Sequence, residues 1–382
     1  MPRPANKLLR LAYWIVLLTS GMLLFACVWI VIPAPNLQLL PLGVGSAEIS
    51  PILLIAAVVL SAIAAAKARR MPLARLALVL ALVAACLAVL PIAQALAAIR
   101  QFESTMQRVR APAHPGMRSG RAKTIRGIEF AKPDGVPLRL ILYQPIDTAA
   151  AAASPIVVQI YGGGWQTGSP EDYAWFAQYF ATHGYLVVAI DHRHAPRWRW
   201  PEQLEDVRAA LRWVAEHATA YHGDPSRIAL VGRSSGAQLA MRMAYQEAPS
   251  AIKAVVNFYG PVDLADGWRR PPHPDPLGTR SVLETFLGGT PDLMQDRYKH
   301  ASPITYSHGR VPPTLHLYGR RDHIVEARFG QMLDRSLKDA GNTSMLLEFP
   351  WSEHAFDIIP NGLGAQISLH YVERFIGWAL AN

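Results

Sequence analysis

Ile228-Ala229-Leu230-Val231-Gly232-Arg233-Ser234-Ser235-Gly236-Ala237-Gln238-Leu239-Ala240-Met241 is the stretch on which the reading of this chain turns. An apolar strand-like run, a G-x-S-x-G turn and a helical pattern follow one another without a gap. That is the context in which a serine hydroxyl is lifted above the end of a strand. A turn so sharp leaves little room for side chains two residues before and two after the serine. Gly232 and Gly236 meet that need for Ser234, whereas Ser235 has Arg233 and Ala237 in those places. The expected nucleophile is Ser234.

Three further features stand in a matching order. Tyr161-Gly162-Gly163-Gly164-Trp165 follows the apolar run 156–160. Three glycines let the backbone turn its N–H groups toward a developing oxyanion. A phosphate loop is the alternative, but no Gly-Lys-Ser/Thr follows. Asp322 lies just past the strand-like run 314–318, and His354 just past the run 345–349. The chain order Ser, Asp, His is that of an α/β-hydrolase. Acyl transfer needs a nucleophile, a base, an orienting acid and an oxyanion site. The expected roles are Ser234 as nucleophile, His354 as base and Asp322 as orienting acid. The oxyanion donors are the N–H groups of Gly163, Gly164 and Ser235.

These assignments have rivals. His323 is adjacent to Asp322 and cannot easily fold back onto it, and His370 falls inside the last helical pattern. Asp263, after the preceding strand, is the main rival for the acid, while Asp334 and Asp339 read as helix-surface charges. His192 and His194 have no carboxylate or cysteine framework around them, so loop packing is expected rather than a metal. No cofactor and no metal is expected.

The chain has 382 residues, 51% of them hydrophobic and unevenly placed. Residues 11–32 carry no charge and would form a helix of roughly 33 Å, enough to span a hydrocarbon core. Residues 49–66 form a second uncharged run, for which a re-entrant segment is the alternative. Residues 76–99 form a third, interrupted by Pro91 and Gln94. A signal peptide would leave the second and third runs unexplained. Three transmembrane helices, hence a multi-pass protein of the cytoplasmic membrane, are expected.

The net charge of +9 belongs to this region. Residues 1–118 hold 11 Lys and Arg against Glu48 and Glu103, while residues 119–382 hold 26 charges of each sign. The excess suits anionic headgroups of a lipid bilayer rather than nucleic acid. With the N-terminus inside, seven basic residues lie inside (Arg3, Lys7, Arg10, Lys67, Arg69, Arg70, Arg75) and four outside (Arg100, Arg108, Arg110, Arg118). That bias puts the region after the spans outside the cytoplasmic membrane. Cys27 and Cys86 both fall within the spans and read as small apolar packing residues. The later region therefore has no disulfide and no cysteine nucleophile.

The organisation expected is a transmembrane region over 1–100, a basic linker over 101–123 containing Ala111-Pro112-Ala113-His114-Pro115-Gly116, and a catalytic domain over 124–382. Runs 124–131 and 137–143 read as a hairpin-like start, and 147–154, with five consecutive alanines, as a loop tip. Strands at 156–161, 186–191, 227–231, 254–259, 314–318 and 344–349 then alternate with helices at 172–183, 202–221, 237–244, 326–340 and 364–380. This predicts an α/β fold with a doubly wound, mostly parallel sheet, active residues at the carboxyl ends of strands. Residues 260–312, rich in Pro, Gly and aromatics, are long for a loop and predict a small cap.

The segments 161–168 (YGGGWQTG), 184–196 (GYLVVAIDHRHAP), 200–207 (WPEQLEDV), 232–236 and 351–356 together resemble α/β-hydrolases of the bacterial feruloyl-esterase-like and hormone-sensitive-lipase-like carboxylesterase group. The resemblance covers residues 130–380 and not the spans. It implies a serine esterase with the same oxyanion assignment. Lipase-like relatives often carry His before the three glycines; Tyr161 stands here, which tilts the likeness toward the feruloyl-esterase-like branch. The function expected is a membrane-anchored serine carboxylesterase acting on small to medium acyl or aryl esters. An amidase of the kynurenine-formamidase type is the second reading, and a non-catalytic membrane binding protein the third. The physiological ester and the oligomeric state are not fixed by sequence, since a fold does not choose its substrate.

Overall fold

The structure is a computed structural model that describes residues 4–107, 109, 120–146, 153–247 and 250–381. The Pro/Gly linker at 111–116 and most of the alanine loop at 147–154 lie outside the described residues.

Four helices come first: α1 (Pro4–Val28), α2 (Leu40–Glu48), α3 (Ser50–Ala68) and α4 (Pro72–Thr105). Three of them, α1, α3 and α4, are long and apolar enough to cross a membrane. The Tyr13 hydroxyl, near the start of α1, donates to the Ile63 carbonyl near the end of α3 at 3.2 Å. Cys27 and Ile30, at the other end of α1, pack with Leu53 and Ala57 near the start of α3 and with Ala84 and Ala88 of α4. α1 and α3 are therefore antiparallel. α4 turns a buried row to its neighbours, including Ala74, Ala77, Ala81, Ala84 and Ala88. Small residues at three- and four-residue spacing let helix backbones approach closely where hydrophobic driving force is weak.

The chain from 120 onward forms one eight-stranded sheet. Its strands are β1 (Ala122–Ala131), β2 (Leu138–Pro145), β3 (Ser154–Ile160), β4 (Leu186–Ile190), β5 (Gly223–Arg233), β6 (Ile252–Phe258), β7 (Thr314–Gly319) and β8 (Ser344–Phe349). The order across the sheet is β1-β2-β4-β3-β5-β6-β7-β8. β1 and β2 form the expected antiparallel hairpin, β2 meets β4 antiparallel, and all later pairings are parallel. Every residue of β4 and β7 is buried, so both faces of the sheet are covered. Continuous apolar strands such as Val187-Val188-Ala189-Ile190 are what that environment selects.

Among the covering helices are α5 (Ala174–Thr182), α6 (Glu202–His217), α7 (Ser235–Glu247), α11 (Arg328–Asp339) and α12 (Leu363–Ala381). Between β6 and β7 stand three short helices, α8 (Leu264–Arg269), α9 (Thr279–Leu287) and α10 (Gln295–Ala301). The segment read as a cap is thus helical rather than a loop.

Two features differ from the sequence reading. The first inter-span loop contains α2, and the linker expected from residue 101 starts as the end of α4. Phe102 on that end is buried between Phe349 of β8, at 5.0 Å between ring centroids, and Tyr371 of α12, at 5.5 Å. Arg374 of α12 pairs with Glu103 at 2.8 Å and donates to the Met106 and Val109 carbonyls. Arg321 Nη2 donates to the Val31 carbonyl, just past α1, at 2.8 Å. The sheet unit therefore contacts the end of α1, the end of α2 and the end of α4, all at one end of the apolar bundle.

Candidate active site

β5 ends at Arg233, and Ser234 follows with φ +51° before α7 begins at Ser235. A non-glycine residue in the left-handed region is a strained element of a turn, held only where surroundings over-determine it. Here the Ser234 N–H donates to the Phe258 carbonyl at 2.9 Å, and the Ser234 carbonyl accepts from the Ala237 and Gln238 N–H groups. A Cβ on Gly236 would overlap the Ile160 and Tyr161 carbonyls, and one on Gly232 would overlap Ala237. The two glycines flanking Ser234 are thus required by close backbone approach.

The His354 ring lies between two of the predicted partners. Its Nε2 is 3.1 Å from Ser234 Oγ, and its Nδ1 is 2.7 Å from Asp322 Oδ2. With Nδ1 protonated toward the carboxylate, Nε2 is free to accept the serine proton. Asp322 is buried, and its Oδ1 accepts from the Ile324 and Val325 N–H groups at 2.8 Å each. Burial pushes its carboxyl above the ordinary value, opposed by the His354 ring. Asp263 is placed otherwise: its Oδ1 caps α8 by accepting from the Asp266 N–H at 2.9 Å.

The glycine loop stands beside Ser234. Gly162, Gly163, Gly164, Ser234, Ser235 and His354 all line one cavity of about 610 Å³. Gly163 has φ +128°, and a Cβ there would overlap the Thr167 carbonyl, so the loop cannot carry a side chain at that point. The far walls are apolar, with Leu264, Leu277, Leu283, Val325, Phe329 and Ile358.

Tyr161, which precedes the glycines, is buried; its hydroxyl donates to Asp191 Oδ1 at 2.7 Å and lies 2.9 Å from His194 Nε2. His192 stacks on the Tyr161 ring at 4.4 Å, and burial lowers its pKa to about 3. Both histidines pack the loop. His370 is an exposed residue of α12, and His323 pairs with Glu353 instead of Asp322, at 2.6 Å. That hydrogen bond raises the His323 pKa above its ordinary value.

Sequence reasoning missed the contacts that support these residues. Gln238 on α7 accepts from Trp165 Nε1 at 2.9 Å and donates to the Ala301 carbonyl at 2.6 Å, joining the elbow helix to the glycine loop and α10. Trp165 in turn stacks on Phe286 of α9 at 4.0 Å. Glu353 bridges the Asp322 and His354 turns through His323. Arg233 is buried, paired with Asp357, and has its guanidinium over the rings of Tyr173, Phe176 and Phe258. The only sequence signal for these was their adjacency to the motifs.

Comparison with known proteins agrees with this architecture. The BD-FAE family profile matches residues 140–337, more than half of the chain. A probable carboxylic ester hydrolase, LipM, of Mycobacterium tuberculosis is 31% identical over 260 residues, 64% of this chain and 58% of the relative. The esterase LipQ of the same organism is 29% identical over 59% of this chain and 56% of its own length. The chain thus spans a little over half the length of these curated relatives. Among solved structures, a propionate-bound thermophilic esterase of Thermogutta terrifontis superposes with a TM-score of 0.55 at 27% identity, over 69% of this chain and 95% of that one.

Proposed function

The chain belongs to the BD-FAE family, and we propose that it is a membrane-anchored serine carboxylesterase acting on small to medium acyl or aryl esters. One observation carries the proposal: Ser234, His354 and Asp322 stand in sequence at 3.1 and 2.7 Å beside a glycine loop, at the wall of an apolar cavity. The esterases among its relatives support the reaction class.

In this reading the ester carbonyl carbon sits over Ser234 Oγ, and the acyl chain lies along Leu283, Val325 and Phe329. Ser234 Oγ attacks while His354 Nε2 takes its proton. Asp322 holds the Nδ1–H and offsets the imidazolium charge. The N–H groups of Gly163, Gly164 and Ser235 stabilise the oxyanion, a contribution of about 3 kcal/mol per donor in a comparable hydrolase. Collapse breaks the bond to the alkoxide, which leaves with the proton from His354. Water then gives a proton to His354 and attacks the acyl-serine; collapse releases the acid and returns the proton to Ser234.

The cavity of about 610 Å³ suits acyl groups of modest length, and the propionate in the Thermogutta terrifontis relative agrees with that scale. The anchor is supported by three apolar helices, the last of which runs on into the sheet unit. The test is a panel of p-nitrophenyl esters from acetyl to palmitoyl, with Ser234→Ala as control. Hydrolysis peaking at short or medium chains is expected. No hydrolysis of any ester, with turnover of N-formylkynurenine, would move the activity to an amidase.

A further inference from the structure

Glu48 is the last residue of α2, in the segment between the first two apolar helices, yet its carboxylate is buried in the sheet unit with 1% exposure. Its Oε1 is 2.9 Å from Ser352 Oγ. Its Oε2 accepts the Gly364 N–H, in the first turn of α12. Ser352 lies two residues before His354, and Gly364 opens the helix that follows the His354 loop. A Cβ on Gly362 or Gly364 would press against Glu48, so the small residues there make room for this side chain.

A bare carboxyl inserted this deeply costs free energy unless its oxygens are bonded, and an anchor alone needs no such contact. The loop it grips is otherwise held from the elbow side, through Arg233 and Asp357. The His354 turn is thus clamped between the nucleophile elbow and a residue of the membrane region. His354 Nε2 must keep its 3.1 Å approach to Ser234 Oγ, and a displacement of about 1 Å can cost on the order of 100-fold in rate.

We propose that Glu48 is a positioning residue for His354, so that catalysis at Ser234 depends on the inter-span segment as well as on the sheet unit. The proposal rests on the esterase reading above. Ser352 Oγ donates to Glu48 Oε1 and the Gly364 N–H to Oε2; glutamine keeps the Gly364 contact through its carbonyl and a polar group beside Ser352, to which its amide can donate, and alanine loses both.

The experiment uses the full chain in detergent micelles. Active sites are titrated with a fluorophosphonate, and kcat and KM are measured on p-nitrophenyl butyrate per titrated site. Glu48→Ala is expected to lower kcat by about 10- to 100-fold, with KM unchanged and with slower fluorophosphonate labelling. Glu48→Gln is expected to restore most of the loss. A purely structural role would lower the titratable fraction and the thermal midpoint while leaving kcat per site intact, and that result overturns the proposal. If Glu48→Ala does not fold, Ser352→Ala, which removes only the Oε1 contact, decides it: a several-fold fall in kcat per site supports the proposal, and an unchanged kcat contradicts it. An unaltered chain that neither labels nor hydrolyses overturns the esterase reading, and this inference with it.

Discussion

Arg233 Nε and Asp357 Oδ2 lie 2.6 Å apart, both side chains with 1% exposure. The pair joins the residue before Ser234 to the loop three residues after His354. Asp357 also accepts the Tyr259 hydroxyl, and the Tyr259 ring lies 4.6 Å from the His354 ring. The Ser234 turn and the His354 turn are thus tied by a fully desolvated contact between residues 124 apart in sequence. Removing one partner of a buried ion pair leaves the other uncompensated, at a cost of about 3–5 kcal/mol. Asp357→Ala is expected to lose that much stability in urea unfolding, and a loss below about 1 kcal/mol would show that the pair is not structural.

Asp322 and Asp263 separate cleanly. Asp322→Asn removes the acceptor that fixes the His354 tautomer and is expected to lower kcat by about 10⁴, the magnitude of the geometry-preserving Asp→Asn change in a serine protease. Asp263→Asn disturbs an N-cap, so kcat should change little and stability by no more than about 1 kcal/mol. Near-normal kcat in Asp322→Asn, with a collapse in Asp263→Asn, would exchange their roles.

The elements around Ser234, Asp322 and His354 were legible because their signals are local. A strand-like run, a pair of glycines forced by backbone approach, and a helical pattern all lie within residues 228–241. The glycine loop, Asp322 and His354 each follow an apolar run that became a strand. What was not legible depends on distant partners. α2 contains Gly43 and Gly45, weak helix formers, and read as a loop; packing, rather than propensity, makes it helical. Glu48 meets Ser352 across 304 residues, and no sequence period announces such a contact. The short helix α9 was hidden between Gly278 and Gly288, which bound it, and α8 and α10, of six and seven residues, are too short to show a helical period. The last turns of α4 read as linker because Arg100, Gln101 and Glu103 mask the burial of Phe102.

Glu48 also predicts a pH dependence of stability. Burial is the main cause of a pKa raised from 4.5 to about 8; the Gly364 N–H and Ser352 oppose it, and the nearby Asp357 adds to it. The folded state therefore holds the proton more tightly than the unfolded state. The associated stability is full below about pH 4.5 and is lost as pH rises through about 8. The thermal midpoint of the unaltered chain, relative to Glu48→Gln, is expected to fall between pH 5 and pH 9. A constant difference across that range would mean that Glu48 does not titrate there.

The proposed anchor carries a prediction about the side of the sheet unit. If α1, α3 and α4 all cross with a cytoplasmic N-terminus, as the Lys/Arg bias predicts, residues 120–381 lie outside. An alkaline phosphatase fused after Asn382 is expected to be active, and a reporter active only in the cytoplasm is not. The opposite pattern would require an even number of crossings or an inverted N-terminus.

Ser234 is the proposed nucleophile. The most direct test of this role is to label the full chain with a fluorophosphonate and locate the adduct by peptide mass spectrometry. The adduct is expected on Ser234, absent in Ser234→Ala and in denatured protein, and retained in Ser235→Ala, whose backbone N–H survives. An adduct on Ser235, or labelling that persists in Ser234→Ala, would mean that Ser234 is not the nucleophile.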